Sequence, residues 1–492
     1  MLNQIMAALG IPRVESASKR LGISVPFDRT DATQYGGTTN RVAGLTAFAE
    51  NDADREYSGN FNARYPLTLF GGTGEIKAGF GIRRRDKVVN DFGGRAKSTI
   101  NLSTIEASVG PKQPYYFGPG LVAPVANYAA IETLVRGAIS IPTLAPSVGR
   151  DIRDNENITA GFLMYTVDYG NLNVLTGVRV EATDATYGNF LTTTNGAGVS
   201  STGFVTANKS YTNFFPTVQF KYVFQPDLQV RATYSTGIAR PGFSQAGGFA
   251  GVDFTASPRP VFTAGNPNLK PTTGNNFDVD LEYYLPNDGV VQIGVFDKEF
   301  RNYIFRNVLT KLNNPIFQGQ LGDFATFSNE NAHARGVEVA YRQKLAFLPG
   351  LFGGLGVEGN LTYVDSKFLE YGAIVSGTGK DQFGSLPGTS KWTWNVAGFY
   401  ERGPVNVRLS AQYVGASLFS LNGDQSLDTI QSARLSADLT ASFEVAKDYV
   451  VFFGARDLLD TPLRYTDGNN NARTQQVEYY GQTYEAGIRF KF

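Results

Sequence analysis

The sequence predicts an all-β chain folded as a transmembrane antiparallel β-barrel. Three observations point there: an aromatic- and glycine-rich composition, apolar–polar alternation in runs of about ten residues, and connections that alternate between short and long. The chain has 492 residues, with 36 Phe, 25 Tyr, 55 Gly, 3 Met and no Cys. Strands that meet lipid on one face and water on the other draw on such a mixture. The 44 basic and 44 acidic residues cancel, which removes the electrostatic case for nucleic-acid binding. Without Cys there is no disulfide scaffold, thiolate catalysis or cysteine-ligated zinc. No window reads as a membrane helix: the charge-free stretch 113–131 is broken by Pro114, Gly118, Pro119, Gly120 and Pro124. A closed barrel satisfies its backbone in lipid just as a helix does.

Residues 1–37 are expected to be an irregular segment, the remnant of a missing upstream region. Its apolar stretch 5–11 has no basic residue before it and makes a poor signal peptide. From Thr38 to Phe492 the period-2 pattern predicts about sixteen strands. Leu228, Val230, Ala232 and Tyr234 oppose Gln229, Arg231, Thr233 and Ser235. Phe277, Val279, Leu281, Tyr283 and Leu285 oppose Asp278, Asp280 and Glu282. Val405, Val407, Leu409, Ala411 and Tyr413 alternate with polar residues, as do Leu435, Ala437, Leu439, Ala441, Phe443 and Val445. In the final segment, Tyr484, Ala486, Ile488, Phe490 and Phe492 are expected to face lipid, and the odd-numbered residues the lumen. Trp392 and Trp394 share one face at a strand start, where an interfacial girdle would want them.

Tight turns are predicted at 71–75, 168–171, 225–227, 286–289, 348–350, 402–404 and 447–448. Long polar loops are predicted at 90–154, 188–210, 241–273, 306–334, 369–387, 420–432 and 461–480. Short periplasmic turns and long extracellular loops are the plan of an outer-membrane barrel, so the expected location is the bacterial outer membrane.

No catalytic set is found, and neither a cofactor nor a metal site is expected. His333 is the only histidine, and a lone loop histidine is usually solvated. Gly354, Gly356 and Gly359 match G-x-G-x-x-G, but the alternation of Leu355, Val357, Leu361 and Tyr363 makes this one strand, not a strand–helix turn. Asp467 to Asn471 has oxygen donors without the spacing of a calcium loop. Arg83, Arg84 and Arg85 with Lys87 form either a solvated rim or a lipopolysaccharide phosphate contact. The aromatic loop residues Tyr115, Tyr116, Phe117, Phe243, Phe249, Phe254 and Phe262 are the candidate ligand contacts, since such faces stack on sugar rings or on other aromatic groups. The competing reading is loop–loop packing.

Several ordered motifs carry a family resemblance. Gly177, Arg179, Glu181 and Thr183 form a G-x-R-x-E-x-T strand. Phe215, Pro216 and Val218 lead through Arg231–Ser235 to Arg240 and Pro241. Gly265, Asn266, Pro267, Asn268, Leu269, Lys270 and Pro271 form the most specific match, followed by Asp278, Glu282, Asp297, Lys298, Gly336 and Glu338 and the terminal Phe492. Together they resemble the C-terminal barrel of TonB-dependent outer-membrane receptors. The resemblance implies a barrel of about twenty-two strands, of which about sixteen would be present, and energised uptake of a scarce oligosaccharide or iron-siderophore ligand. It also implies outer-membrane lipid, lipopolysaccharide, the outer-membrane assembly machinery and the TonB complex as partners, with Phe492 as the assembly signal. Neither the family's plug nor its TonB box is recognisable. The chain is therefore expected to be a fragment unable to transport in a TonB-dependent way alone. The alternative is a plug-free diffusion porin.

Overall fold

The structure is a computed structural model; it describes residues 19–24, 45–69, 71–96, 145–146, 151–194, 200–247, 251–253, 261–313, 321–368, 384–421, 427–468 and 473–490. Sixteen strands among these form one antiparallel ladder. They are β1 (Lys19–Ser24), β2 (Leu45–Pro66), β3 (Thr73–Ala96), β4 (Ile152–Tyr169), β5 (Leu172–Thr194), β6 (Ser200–Gln225), β7 (Leu228–Ala239) and β8 (Thr272–Leu285). They continue with β9 (Gly289–Asn313), β10 (Leu321–Lys344), β11 (Leu355–Phe368), β12 (Trp392–Arg402), β13 (Val405–Val414), β14 (Arg434–Ala446), β15 (Tyr449–Arg456) and β16 (Thr483–Phe490). Each pairs with the next in chain order. β1 lies within the segment 1–37.

Register turns the alternation into two surfaces, because a strand's side chains change face at every residue. One rung runs Phe61–Phe80–Gly161–Val180–Phe214 across β2 to β6. Its outer side is apolar and bare: Phe61 is 72% and Phe214 66% exposed. Further round, Val279, Val295, Val337 and Leu361 continue the exposed band. Such a surface is costly in water and neutral against acyl chains. The opposite face is polar. There Arg231 pairs with Glu282, Glu358 with both Arg342 and Arg408, and Arg456 with Glu485. A recess of about 570 Å³ on this face is lined by Arg342, Glu358, Asn360, Asn395, Arg408 and Asp438.

The last strand follows its predicted facing. Register with β15 sets Ile488 opposite Val451 and Phe490 opposite Tyr449, with Tyr484, Ile488 and Phe490 exposed. On the other face Gly487 lies under the Phe452 ring, where an added Cβ would come within 2.7 Å of it. Aromatic girdles edge the band. At the long-loop end Trp392 packs on Tyr363 and Trp394 stacks on Tyr413, with centroids 4.6 and 5.6 Å apart. At the short-turn end Tyr65, Tyr222, Tyr283, Tyr341 and Tyr449 are exposed on the same outer face.

The short turns fall where the sequence places them, except the first, expected at 71–75, where β2 ends at Pro66 and β3 already begins at Thr73. Asn287 and Asp288 both take positive φ, 60° and 57°, the geometry of a two-residue hairpin turn that matches strand twist. The turn expected at 348–350 is larger: Leu345 closes on Leu355 and a 3-10 turn, Gly350–Gly354, lies between. The long loops are shorter than expected. β5 and β6 continue to Thr194 and from Ser200, and β9 and β10 to Asn313 and from Leu321. Above the membrane a hairpin needs no apolar face, so polar residues read as loop remain strand.

Candidate functional site

The family-like motifs, distant in sequence, meet at the long-loop end of the wall. On β5, Arg179, Glu181 and Thr183 share the lumenal face. Arg240, one residue past the end of β7, reaches across to them. It donates to the Glu181 carboxylate and, through Nε at 3.2 Å, to the Thr183 hydroxyl, and lies 4.0 Å from Glu156 of β4. Glu156 also accepts from Arg83 at 3.1 Å, and Glu181 from Arg179 at 2.6 Å. All three central side chains are mostly buried. Charges withdrawn from water hold only when paired and hydrogen-bonded. Arg240 therefore pins the start of the β7–β8 connection to β4 and β5.

Pro241 then directs the chain into one helical turn, Phe243–Ala246, whose Gly242 N–H is capped by the Gln245 side chain at 2.8 Å. Phe243 fills a socket made by Ala185, Tyr187 and Ala246, meets the Tyr187 ring edge-on at 6.4 Å, and lies under Arg85 at 5.0 Å. Gly247 closes the turn against Asp154, where any Cβ would stand 2.8 Å from Tyr187 and 3.0 Å from the Asp154 carboxylate. Asp154 is buried; its Oδ1 accepts the Gly188 N–H at 3.0 Å, and its Oδ2 has no hydrogen-bond partner. About fifteen residues separate it from the turn end of β4, beyond the roughly ten that cross the hydrocarbon. Burial pushes its carboxyl up to about 7, against the lowering effects of the Gly188 N–H and the Lys87 charge.

The Asn266–Lys270 motif holds the far end of the same connection. Asn266 donates to the Phe327 carbonyl at 2.8 Å, and its own N–H bonds the Gln245 carbonyl at 2.7 Å. Asn329 of β10 accepts from Lys270 N–H and donates to the Lys270 and Asn302 carbonyls, all within 3.0 Å. Between these anchors Val261–Thr263 adds, in parallel, to Asp323–Ala325 of β10. Beside it a second small core gathers Phe305, Ala332, Ala334, Leu386, Leu418 and Leu421. The last two long connections join as a four-stranded sheet of Ser417–Ser420, Thr429–Gln431, Leu463–Asp467 and Thr474–Glu478. The described residues above the wall thus form a built crown.

Comparison with known families matches the TonB dependent receptor-like beta-barrel over residues 10–458. The chain belongs to that family. It is an outer-membrane receptor barrel. The ferric-catecholate import receptor Fiu from E. coli K12 is similar in fold, with 15% identity over 96% of this chain and 59% of that one, and a TM-score of 0.59. The ferripyoverdine receptor of Pseudomonas aeruginosa matches at 13% over 97% and 52%, TM-score 0.59. The ferric yersiniabactin uptake receptor FyuA of Yersinia pestis matches at 13% over 91% and 58%, TM-score 0.54. The chain thus spans a little over half the length of these solved receptors. A comparison with curated proteins gives no match.

In the receptor barrel, the candidate aromatics fall in two groups. Phe243 and Phe262 are placed in the crown, only 9% and 7% exposed. Tyr115, Tyr116, Phe117, Phe249 and Phe254 lie outside the described residues, as does Phe492. The arginine run splits by parity. Arg83 and Arg85 face inward, paired with Glu156 and Asp54, and Arg84 alone turns out, beside Asp86. His333 is on β10, opposite Glu299 and Lys367. The G-x-G-x-x-G match crosses from the 3-10 turn into β11 with no helix after it. Sequence reading missed the Arg240–Glu156–Glu181 group and Asn329; the order of the motifs was the signal that could have joined them.

Proposed function

We propose that this barrel takes part in TonB-dependent uptake of a ferric-siderophore-class ligand across the outer membrane. The carrying observation is the family match over 10–458 together with a crown whose motif residues converge above a polar lumen. The similarity to receptors for ferric catecholate, ferripyoverdine and ferric yersiniabactin supports the iron-chelate class over an oligosaccharide. In this reading the crown loops gather the ligand, with Tyr115, Tyr116, Phe117, Phe249 and Phe254 as contact candidates and with the buried rings of Phe243 and Phe262 packing the crown. The apolar outer face meets lipid, with lipopolysaccharide around the rim. The terminal Phe492 is read by the assembly machinery, so its deletion should lower the inserted fraction seen as heat-modifiable gel mobility.

The test is radioiron uptake from a panel of ferric siderophores in cells with and without this gene, each with and without TonB. Uptake that needs both supports the proposal. Uptake of oligosaccharides in place of iron chelates would move the ligand class. Passive entry indifferent to TonB would make the barrel a diffusion pore.

A further inference from the structure

One short turn differs from the rest. The other hairpin turns among the described residues expose Gly170, Pro226, Asn287 and Asp288, Gly403 and Pro404, or Lys447 and Asp448, and the β2–β3 turn exposes a single apolar side chain, Leu69, at 39%. The β10–β11 turn instead exposes Phe347 (70%), Leu351 (72%) and Phe352 (64%). It is an ordered turn. Leu345 N–H bonds Leu355 C=O at 2.8 Å, Leu348 N–H bonds Leu345 C=O at 2.9 Å, and Gly350 takes φ +61° to enter the 3-10 segment. A hydrogen-bonded turn that leaves three large apolar side chains mostly exposed suits a partner surface.

Its position says which. Gly354 lies against Tyr400 and the Arg402 Cβ of β12. Tyr400 pairs in register with Leu355 and Val407 and shares their outer, lipid-facing parity. Tyr341 and Val357, outward residues near the turn ends of β10 and β11, are exposed directly above. The patch is thus continuous with the lipid-facing band at its short-turn edge, where the tyrosine girdle marks the interface. Arg402, a cation at the same level, suits phosphate headgroups while the apolar residues meet the acyl boundary.

We propose that the β10–β11 turn inserts into the periplasmic leaflet of the outer membrane, with Phe347, Leu351 and Phe352 as a lateral lipid anchor. The anchor fixes the depth and tilt of the wall on the side that carries the recess around Arg408.

The test uses the full chain in phosphatidylethanolamine–phosphatidylglycerol vesicles, with Trp392 and Trp394 replaced by Phe and one reporter introduced: Phe347→Trp, Leu351→Trp or Phe352→Trp. A Lys447→Trp reporter in a polar turn is the control. Acyl-chain-brominated lipid should quench each anchor reporter several-fold more than the control, and aqueous acrylamide several-fold less. The two Phe→Trp changes keep an aromatic ring, so at least these reporters fold. Anchor reporters open to acrylamide and untouched by brominated lipid would overturn the proposal and leave a soluble periplasmic partner as the occupant.

Discussion

The lower wall and the crown are made of the same strands but are held by different forces. Below, order comes from a repeated rung: apolar side chains outward, charged pairs inward, and a hydrogen-bonded neighbour on either side. Any rung resembles the next, so the loss of one side chain is spread over many equivalent contacts. In the crown each contact occurs once. Arg83 and Arg179 each hold one of Glu156 and Glu181, Arg240 joins the two carboxylates to the β7–β8 connection, and Asn329 serves two carbonyls and an N–H. The lesson is that facing is collective in the wall and individual in the crown.

The sharpest way to break this contrast is to put a charge on each face of the wall. Leu409→Arg, on the outer face midway along β13, should cost roughly 2–4 kcal/mol. Ser442→Arg, on the lumenal face of β14, should cost less than about 1 kcal/mol. Gly487 is the wrong lumenal site for this test, because the Phe452 ring occupies the space a side chain would need. Urea titration of folding into vesicles measures both, and equal costs would refute the facing.

In the crown, Arg240→Ala should destabilise the Phe243–Ala246 turn by roughly 2 kcal/mol, since Glu156 and Glu181 lose a shared cation. Hydrogen exchange should rise across residues 240–247 and stay unchanged in β12 to β14. A uniform rise would show that crown and wall are one cooperative unit.

Asn329→Ala should loosen the other anchor by about 1–2 kcal/mol. Exchange should increase at residues 261–270 while the Arg240 end keeps its protection. If both ends loosen together, the two anchors are coupled.

The smallest effect is a pH dependence at Asp154. Its carboxyl is raised to about 7 in the folded crown by burial. A raised pKa means the folded state favours the protonated form. That contribution is complete below the ordinary carboxylate range and disappears as pH rises through about 7. Protection of residues 242–247 should therefore fall between about pH 4 and pH 7 and level off above that, and Asp154→Asn should flatten the change. The same pH profile in the Asn variant would assign it to another group.

Much of the wall was legible because period-2 alternation needs no knowledge of neighbours. The face of Ile488 follows from its parity with Phe490. The turn at Asn287 and Asp288 follows from residues that tolerate positive φ. Strand ends above the membrane were not legible. Residues such as those from Thr186 to Thr194 lose the apolar signal where lipid ends, yet go on pairing with β6. The arginine run misled for a related reason: composition reads Arg83, Arg84 and Arg85 as one patch, and alternation sends them to two faces.

The class, the outer-membrane location and the lipid-facing residues can be read along the chain, because they depend on local periodicity and on solvent, which are the same along every strand. Three contacts have no such local signal: Arg240 meets Glu181, 59 positions away, Asn329 closes on Lys270, and the turn holding Phe347 and Leu351 stays beside Tyr400. These depend on which strand lies beside which and in what register. That pairing is set by the sum of the ladder's hydrogen bonds, and no short stretch of sequence contains it.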